Sequence, residues 1–295
     1  MPGSRIRRIW PNTDPVTKAL ASLSDVASGY DAIVFDQWGV LHDGSAPSSA
    51  AVAALTELKA RGHMLAVLTN SGRRAAPNAA RLTALGFPPD LFDCVMSSGE
   101  ALWHEFAAHR TAFTRLHAIT SRPDDAIDWA AGLEVNFVPI EEAEAVLLMG
   151  VADDALPGAY DGVFAVALER GLPVLCSNPD RTAPRPGGAI VVMPGMLAHD
   201  HANAGGEVRY VGKPHVPIFR AVEAALDLPP ERVLMVGDSL EHDIAGAAAA
   251  GWDSVFICGG LHAQSFRSGE VGETVAELAR SMDTPLPEFT LETVR

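Results

Sequence analysis

Short, unbroken apolar runs alternate with alanine-rich stretches along most of this chain, and that alternation leaves few folds open. Ala32-Ile33-Val34-Phe35 contains no polar residue, as a strand covered on both faces requires. Residues 47–61 read as a helix, with Ser48 or Ser49 near the start and Gly62 just past the end. A strand over 64–68, a helix over 77–85 stopping at Gly86, and a shorter strand over 94–96 follow. Strand, helix, strand, helix, strand predicts an α/β fold, a parallel sheet with helices on its faces. The pattern returns near the C-terminus: strand 208–211, helix 216–226 ended before Pro229-Pro230, strand 233–236, helix 244–250 and strand 254–257.

A middle section, roughly 99–206, has strands of its own at 145–149 and 173–175 and helices such as 159–170. The economical reading is one α/β core interrupted by an inserted α/β domain. Residues 1–100 and 208–295 make the core, and 101–207 make the insert. A chain of 295 residues fits two domains at ~100–200 residues each. The proline-rich stretch 181–188 reads as a loop within the insert. Residues 1–28 lack clear periodicity apart from a short helix around 16–23, and read as an arm packed on the core.

Charge narrows the partners. The chain carries 22 Lys plus Arg against 37 Asp plus Glu, a formal net charge of -15. Such a surface repels nucleic acid and anionic lipid. An anionic substrate would need positive charge supplied locally. Cys94, Cys176 and Cys258 are far apart and read as reduced, buried thiols of a cytosolic protein. Arg5, Arg7 and Arg8 precede no apolar run, so no secretory signal is expected. The longest apolar stretches, such as 143–152, are too short to span a bilayer. The expectation is a soluble, cytoplasmic protein with no nucleic-acid and no membrane partner.

Four positions fall at the C-terminal ends of predicted core strands, the edge at which open α/β sheets bind ligands. They are Asp36, Thr69 (followed by Asn70-Ser71-Gly72), Lys213, and Asp238 with Asp243 close behind. Singly, each is ordinary: an Asp after a strand is usually a turn former or helix cap, and a Lys is usually solvated. Together they supply what phosphoryl transfer needs. A carboxylate can serve as nucleophile, and paired carboxylates can hold Mg²⁺. The metal and the lysine neutralise phosphoryl oxygens. The hydroxyl and backbone N–H groups of residues 69–72 can hold phosphate at a helix N-terminus.

These residues resemble the motifs of the haloacid dehalogenase superfamily, specifically subclass IIA, which includes para-nitrophenyl, pyridoxal and sugar phosphatases. Phe35-Asp36-Gln37-Trp38-Gly39-Val40-Leu41 resembles the first motif, and Leu68-Thr69-Asn70-Ser71 the second. Val211-Gly212-Lys213-Pro214 resembles the third, and Met235-Val236-Gly237-Asp238-Ser239 through Asp243-Ile244 the fourth. Order and spacing match over most of 30–262. The resemblance implies a Rossmann-like core with a cap domain inserted between the second and third motifs. It implies a phosphoric monoester hydrolase using Mg²⁺ on a small phosphorylated metabolite, and it allows a homodimer through the cap. Position by position, Asp36 is implied as nucleophile and metal ligand, and Thr69 with Asn70 and Ser71 as holders of the phosphoryl group. Lys213 pairs with nucleophile and phosphate. Asp238 is a metal ligand, Asp243 supports the metal shell, and the Trp38 backbone carbonyl reaches the metal. Ser177-Asn178-Pro179-Asp180 resembles the cap's Asn-Pro-Asp segment, which makes Asn178 and Asp180 candidates for substrate binding. It reads equally as an Asx-Pro turn.

One departure matters. Most phosphatases of this superfamily carry a second Asp two positions after the nucleophile, as acid and then base, and here that position is Trp38. Losing a positioned acid/base costs ~10²–10⁴-fold in rate. His42, Asp43, Glu241 and His242 are the nearby substitutes, each read as surface polarity. Arg122, Arg181 and Arg185 could offer charge to an anion, each read as solvated. Two further readings stay open: a metal-independent 2-haloacid dehalogenase, whose leaving halide needs no proton, and a catalytically impaired phosphate-binding regulatory protein.

Overall fold

The computed structural model describes residues 17–44, 46–47, 49–152, 155–184 and 190–295. Arg5, Arg7, Arg8, Ser48 and Arg185 lie outside the described residues, as do the first residue of the helix expected at 16–23 and part of the loop expected at 181–188.

In chain order the strands are β1 (Lys18–Ala19), β2 (Ala32–Phe35), β3 (Met64–Thr69) and β4 (Cys94–Ser97). Then come β5 (Arg115–Ile119), β6 (Asn136–Phe137), β7 (Ala145–Leu148), β8 (Val174–Cys176), β9 (Thr182–Pro184), β10 (Ile190–Val192) and β11 (Val208–Tyr210). The last three are β12 (Val233–Gly237), β13 (Asp253–Ile257) and β14 (Phe289–Leu291). Seven form one parallel sheet in the order β1-β14-β13-β12-β2-β3-β4. From β2 the chain runs to β3 and β4 in one direction, and from β12 to β13 and β14 in the other. The switch point therefore lies between β2 and β12, where the crevice outside an open parallel sheet forms. Both strands are wholly buried, which explains their unbroken apolar sequence.

A second parallel sheet has the order β11-β8-β7-β5-β6. The two sheets are joined by the helix Ser98–Ala107, which Ser97 starts by accepting the Glu100 N–H on its hydroxyl at 3.0 Å. Phe106 of this helix meets Trp129 edge to face, ring centroids 5.4 Å apart. The Trp129 indole N–H donates to the Gly99 carbonyl at 2.7 Å. One apolar cluster runs continuously from Met96, Leu102 and Phe106 through Trp129 to Leu147 and Leu175, so side chains of both sheets share a core.

Several expectations are corrected. Residues 208–211 were expected in the core sheet, but β11 pairs with β8 and belongs to the second sheet. Part of the expected loop 181–188 is strand: β9 pairs antiparallel with β10. Such a two-stranded ribbon tolerates proline at its edge. The helix expected over 16–23 is absent from the described part of that stretch. Lys18–Ala19 extends the first sheet beside β14, and helix forms only at Ser24–Ala27. Leu20, Leu23 and Ala27 do pack on the core, as an arm would. The three cysteines are unpaired, Cys176 and Cys258 buried and Cys94 half-buried, and burial pushes their thiols up to about 11–12. No helix among the described residues is long and apolar enough to cross a membrane.

Candidate active site

Asp36 directly follows β2, and its N–H donates to the Val236 carbonyl of β12 at 3.0 Å. Asp238 directly follows β12, so the two carboxylates flank the switch point. Gly39 makes room for Asp238: it sits at φ +81°, and a Cβ there would collide with the Asp238 carboxylate. The Leu261 N–H donates to Asp238 Oδ2 at 2.7 Å. Asp243 closes the group from the π-helical turn Leu240–Ile244, which precedes the expected helix, here Ala245–Ala250. Oxygens of Asp36, Asp238 and Asp243 all lie within 4.8 Å of one another.

One cation stands among them. Lys213 is 3% exposed, and its Nζ donates to Asp36 Oδ1 and to Asp243 Oδ1, each at 2.6 Å. Asp243 Oδ2 accepts the Ser239 N–H at 3.0 Å, so both its oxygens are engaged. Burial opposes the charge on Lys213, but Asp243 and Asp36 outweigh it and hold the ammonium above its ordinary range. Burial raises Asp36 and Asp243 adds to that, against the pull of Lys213. Asp238 is pushed up to about 8, by burial first and then by Asp36 and Asp243. Three ionised carboxylates against one ammonium would leave an excess of negative charge, which after burial is why Asp36 and Asp238 are raised. That donor set, hard and all oxygen, suits a divalent cation such as Mg²⁺.

These residues line a cavity of about 470 Å³ between the C-terminal edges of the two sheets. Asp36, Trp38, Thr69, Asn70, Ser71, Asn178, Asp180, Lys213, Asp238 and Asp243, all singled out in the sequence, border it together. Lys213 arrives from an unexpected direction, since the strand before it is β11 of the second sheet. The expected helix N-terminus behind residues 69–72 is also corrected. The helix, expected over 77–85, spans Ala75–Ala84, and its Ala75 N–H already donates to Glu100 Oε2 at 2.8 Å. Asn178 spends its side-chain oxygen on the Asp180 N–H at 3.2 Å, an Asx turn.

Trp38 is 45% exposed at the cavity wall and carries no acid. His42, read from sequence as surface polarity, is 5% exposed and borders the same cavity. Its Nδ1 accepts the Gly44 N–H at 3.0 Å. Burial, with Arg81 adding to it, holds the ring below its ordinary range. The site's cationic wall was also missed: Arg73 and Arg81 border the cavity, whereas Arg122 and Arg181 do not. Arg73 directly follows Gly72 in the loop after β3, whereas Arg81 comes from the helix Ala75–Ala84, and spacing from the motifs offers no signal for it.

A family model described as haloacid dehalogenase-like hydrolase matches residues 30–251. The dihydroxyacetone phosphatase of Corynebacterium glutamicum (strain R) is 29% identical over 121 residues, covering 39% of this chain and 44% of that protein. This chain thus matches less than half the length of that relative. The glycerol-3-phosphate phosphatase of Gallus gallus is 29% identical over 293 residues, covering 88% of this chain and 86% of the relative. A solved haloacid dehalogenase-like family hydrolase from Brucella suis 1330 superposes with a TM-score of 0.76 at 29% identity, covering 93% of this chain and 99% of that one.

Proposed function

This chain belongs to the haloacid dehalogenase-like hydrolases, and from that membership we propose that it is a phosphatase of small phosphorylated metabolites, working through a transient phosphoryl group on Asp36. The observation that carries the reading is the Lys213 ammonium held between Asp36 and Asp243 at a sheet switch point, with Asp238 in the same cluster. Relatives named as phosphatases of dihydroxyacetone phosphate and glycerol 3-phosphate support the substrate class.

In this reading an Asp36 oxygen attacks phosphorus and the bond to the leaving-group oxygen breaks. Lys213 faces the charge that gathers on the phosphoryl oxygens, and the Thr69 hydroxyl and Asn70 backbone N–H hold that group in line. Water then attacks phosphorus and Asp36 departs as carboxylate. Asp36, Asp238 and the Trp38 backbone carbonyl would hold Mg²⁺, with Asp243 behind them; the ion supplies positive charge that neutralises the phosphoryl oxygens. The second sheet is the cap, which takes in residues 101–207 and extends through its last-in-sequence strand β11 to Tyr210, and it excludes water while the chemistry proceeds.

Position 38 shapes the substrate range. Without an acid there, leaving oxygens of low basicity, aryl or acyl, depart at the smaller disadvantage. The missing acid/base costs about 3–5 kcal/mol of barrier for the rest. A metal-independent dehalogenase has no use for two further carboxylates crowded onto its nucleophile, which weighs against that reading.

The test is phosphate release from a panel of phosphorylated metabolites and para-nitrophenyl phosphate. Release is expected to need Mg²⁺, to stop on chelation and to be abolished in Asp36→Asn with the fold intact. Full activity in Asp36→Asn, or halide release from chloroacetate without metal, would overturn it.

A further inference from the structure

We propose that Asp180 is a positioning residue: its carboxylate holds the Asn70 side chain, and Asn70 fixes the backbone of Lys213 so that the ammonium meets Asp36. The inference rests on the phosphatase reading and adds to it how the cap takes part in the reaction.

The placement starts from the second sheet. Strands β8 and β11 are parallel neighbours, with Cys176 opposite Tyr210. Asp180 follows the end of β8 and Lys213 the end of β11, so both emerge from the same edge of that sheet. Asn70 comes from the other side, after β3 of the first sheet. It is 6% exposed and joins the two. Its Nδ2 donates to Asp180 Oδ1 at 2.7 Å and to the Lys213 carbonyl at 3.1 Å. Its Oδ1 accepts the Lys213 N–H at 2.7 Å. Only one amide orientation satisfies a carboxylate on one side and a backbone N–H on the other. The Lys213 backbone pair sets that same orientation, and Asp180 adds the short charge-assisted bond that anchors the Asn70 side chain in it.

The clamp is built tightly. A Cβ on Gly212, the residue before Lys213, would collide with Pro179, Ser98 and Asn70. The Gly195 N–H donates to the Asp180 carbonyl at 2.9 Å, and a Cβ on Gly195 would collide with the Pro179 carbonyl. The Asp180 oxygen that Asn70 occupies also faces His242 Nε2 at 3.9 Å, so protein groups rather than substrate claim it.

Removing the carboxylate leaves Asn70 held only by its two bonds to Lys213 itself, with no anchor of its own, so that Asn70 and the Lys213 segment can shift together. A misplacement of ~1 Å at a reacting group can cost ~10²-fold. In Asp180→Ala, kcat is expected to fall about 10²-fold with KM nearly unchanged, equally for aryl and alkyl phosphates. Asp180→Asn should restore it, because an amide oxygen accepts the same Asn70 hydrogen. A second readout needs no turnover. The chain has three lysines, Lys18, Lys59 and Lys213. Brief acetylation followed by mass spectrometry should find Lys213 protected in the wild type and in Asp180→Asn, and labelled about tenfold faster in Asp180→Ala relative to Lys18 and Lys59. Asp180→Ser stands in if the alanine variant fails to fold, as judged by thermal unfolding. Unchanged Lys213 protection in the folded Ala and Ser variants would overturn the proposal. So would a KM change in Asp180→Asn that depends on the leaving group, the mark of a carboxylate touching substrate. Absence of phosphatase turnover in the wild type would count against the phosphatase reading alone, and the labelling would still decide the clamp.

Discussion

Trp38 is the residue at which this site parts from the resemblance that frames it. Its side chain is largely outside the core, and its indole lies over Gly44, where a Cβ would touch Nε1 at 3.0 Å. Replacing it therefore removes little packing. Trp38→Asp should accelerate hydrolysis of alkyl phosphates by ~10²-fold or more and aryl phosphates less, since an aryl oxygen departs without the proton and gains only from the base in the second step. Initial rates on matched alkyl and aryl esters check this, with thermal unfolding as the control, and equal or slower rates on both would contradict it. His42 shows the limit of sequence at this scale. A histidine between Leu41 and Asp43 looks like any surface polar residue. It is buried because the loop folds back, with the Gly39 N–H donating to the His42 carbonyl at 2.9 Å, a tertiary fact with no local signature.

At the scale of elements, the strands flanking the switch point were legible because both faces are covered and their sequence is unbroken apolar. β11 was not. Val208, Tyr210 and Val211 would suit either sheet, and partner choice depends on β8, more than 30 residues away in sequence. The resemblance implied that Lys213 pairs with Asp36, to which its Nζ does donate, and was silent on the sheet that delivers it. The end of β12 carries a sharper demand. A Cβ on Gly237 would collide with Asp243, which is fully buried and holds Lys213. Gly237→Ala should cost about 1–3 kcal/mol by overpacking and displace Asp243. A lowered Tm together with at least about a 10²-fold loss of kcat is expected. A wild-type kcat would show that Asp243 does not set the position of Lys213.

At the scale of the whole molecule, two parallel sheets present their C-terminal edges to one cavity, and each contributes to it. The first brings Asp36, Thr69, Asn70 and Asp238, and the second brings Asp180 and Lys213. The sequence revealed the order of these residues and the interruption between them. It could not reveal the shared core of Phe106 and Trp129 that fixes one sheet against the other, nor Arg81 brought to the cavity by the helix Ala75–Ala84. In a chain of net charge -15, Arg73, Arg81 and Lys213 stand beside the carboxylates of that cavity and supply local positive charge there. The chemistry proposed for that place leaves a covalent trace. Acid-quenched protein, mixed with Mg²⁺ and para-nitrophenyl phosphate and examined by peptide mass spectrometry, should carry one phosphoryl group on the peptide containing Asp36, and none in Asp36→Asn. Steady turnover with that peptide unmodified at every quench time, or a phosphoryl group on another residue, would contradict it.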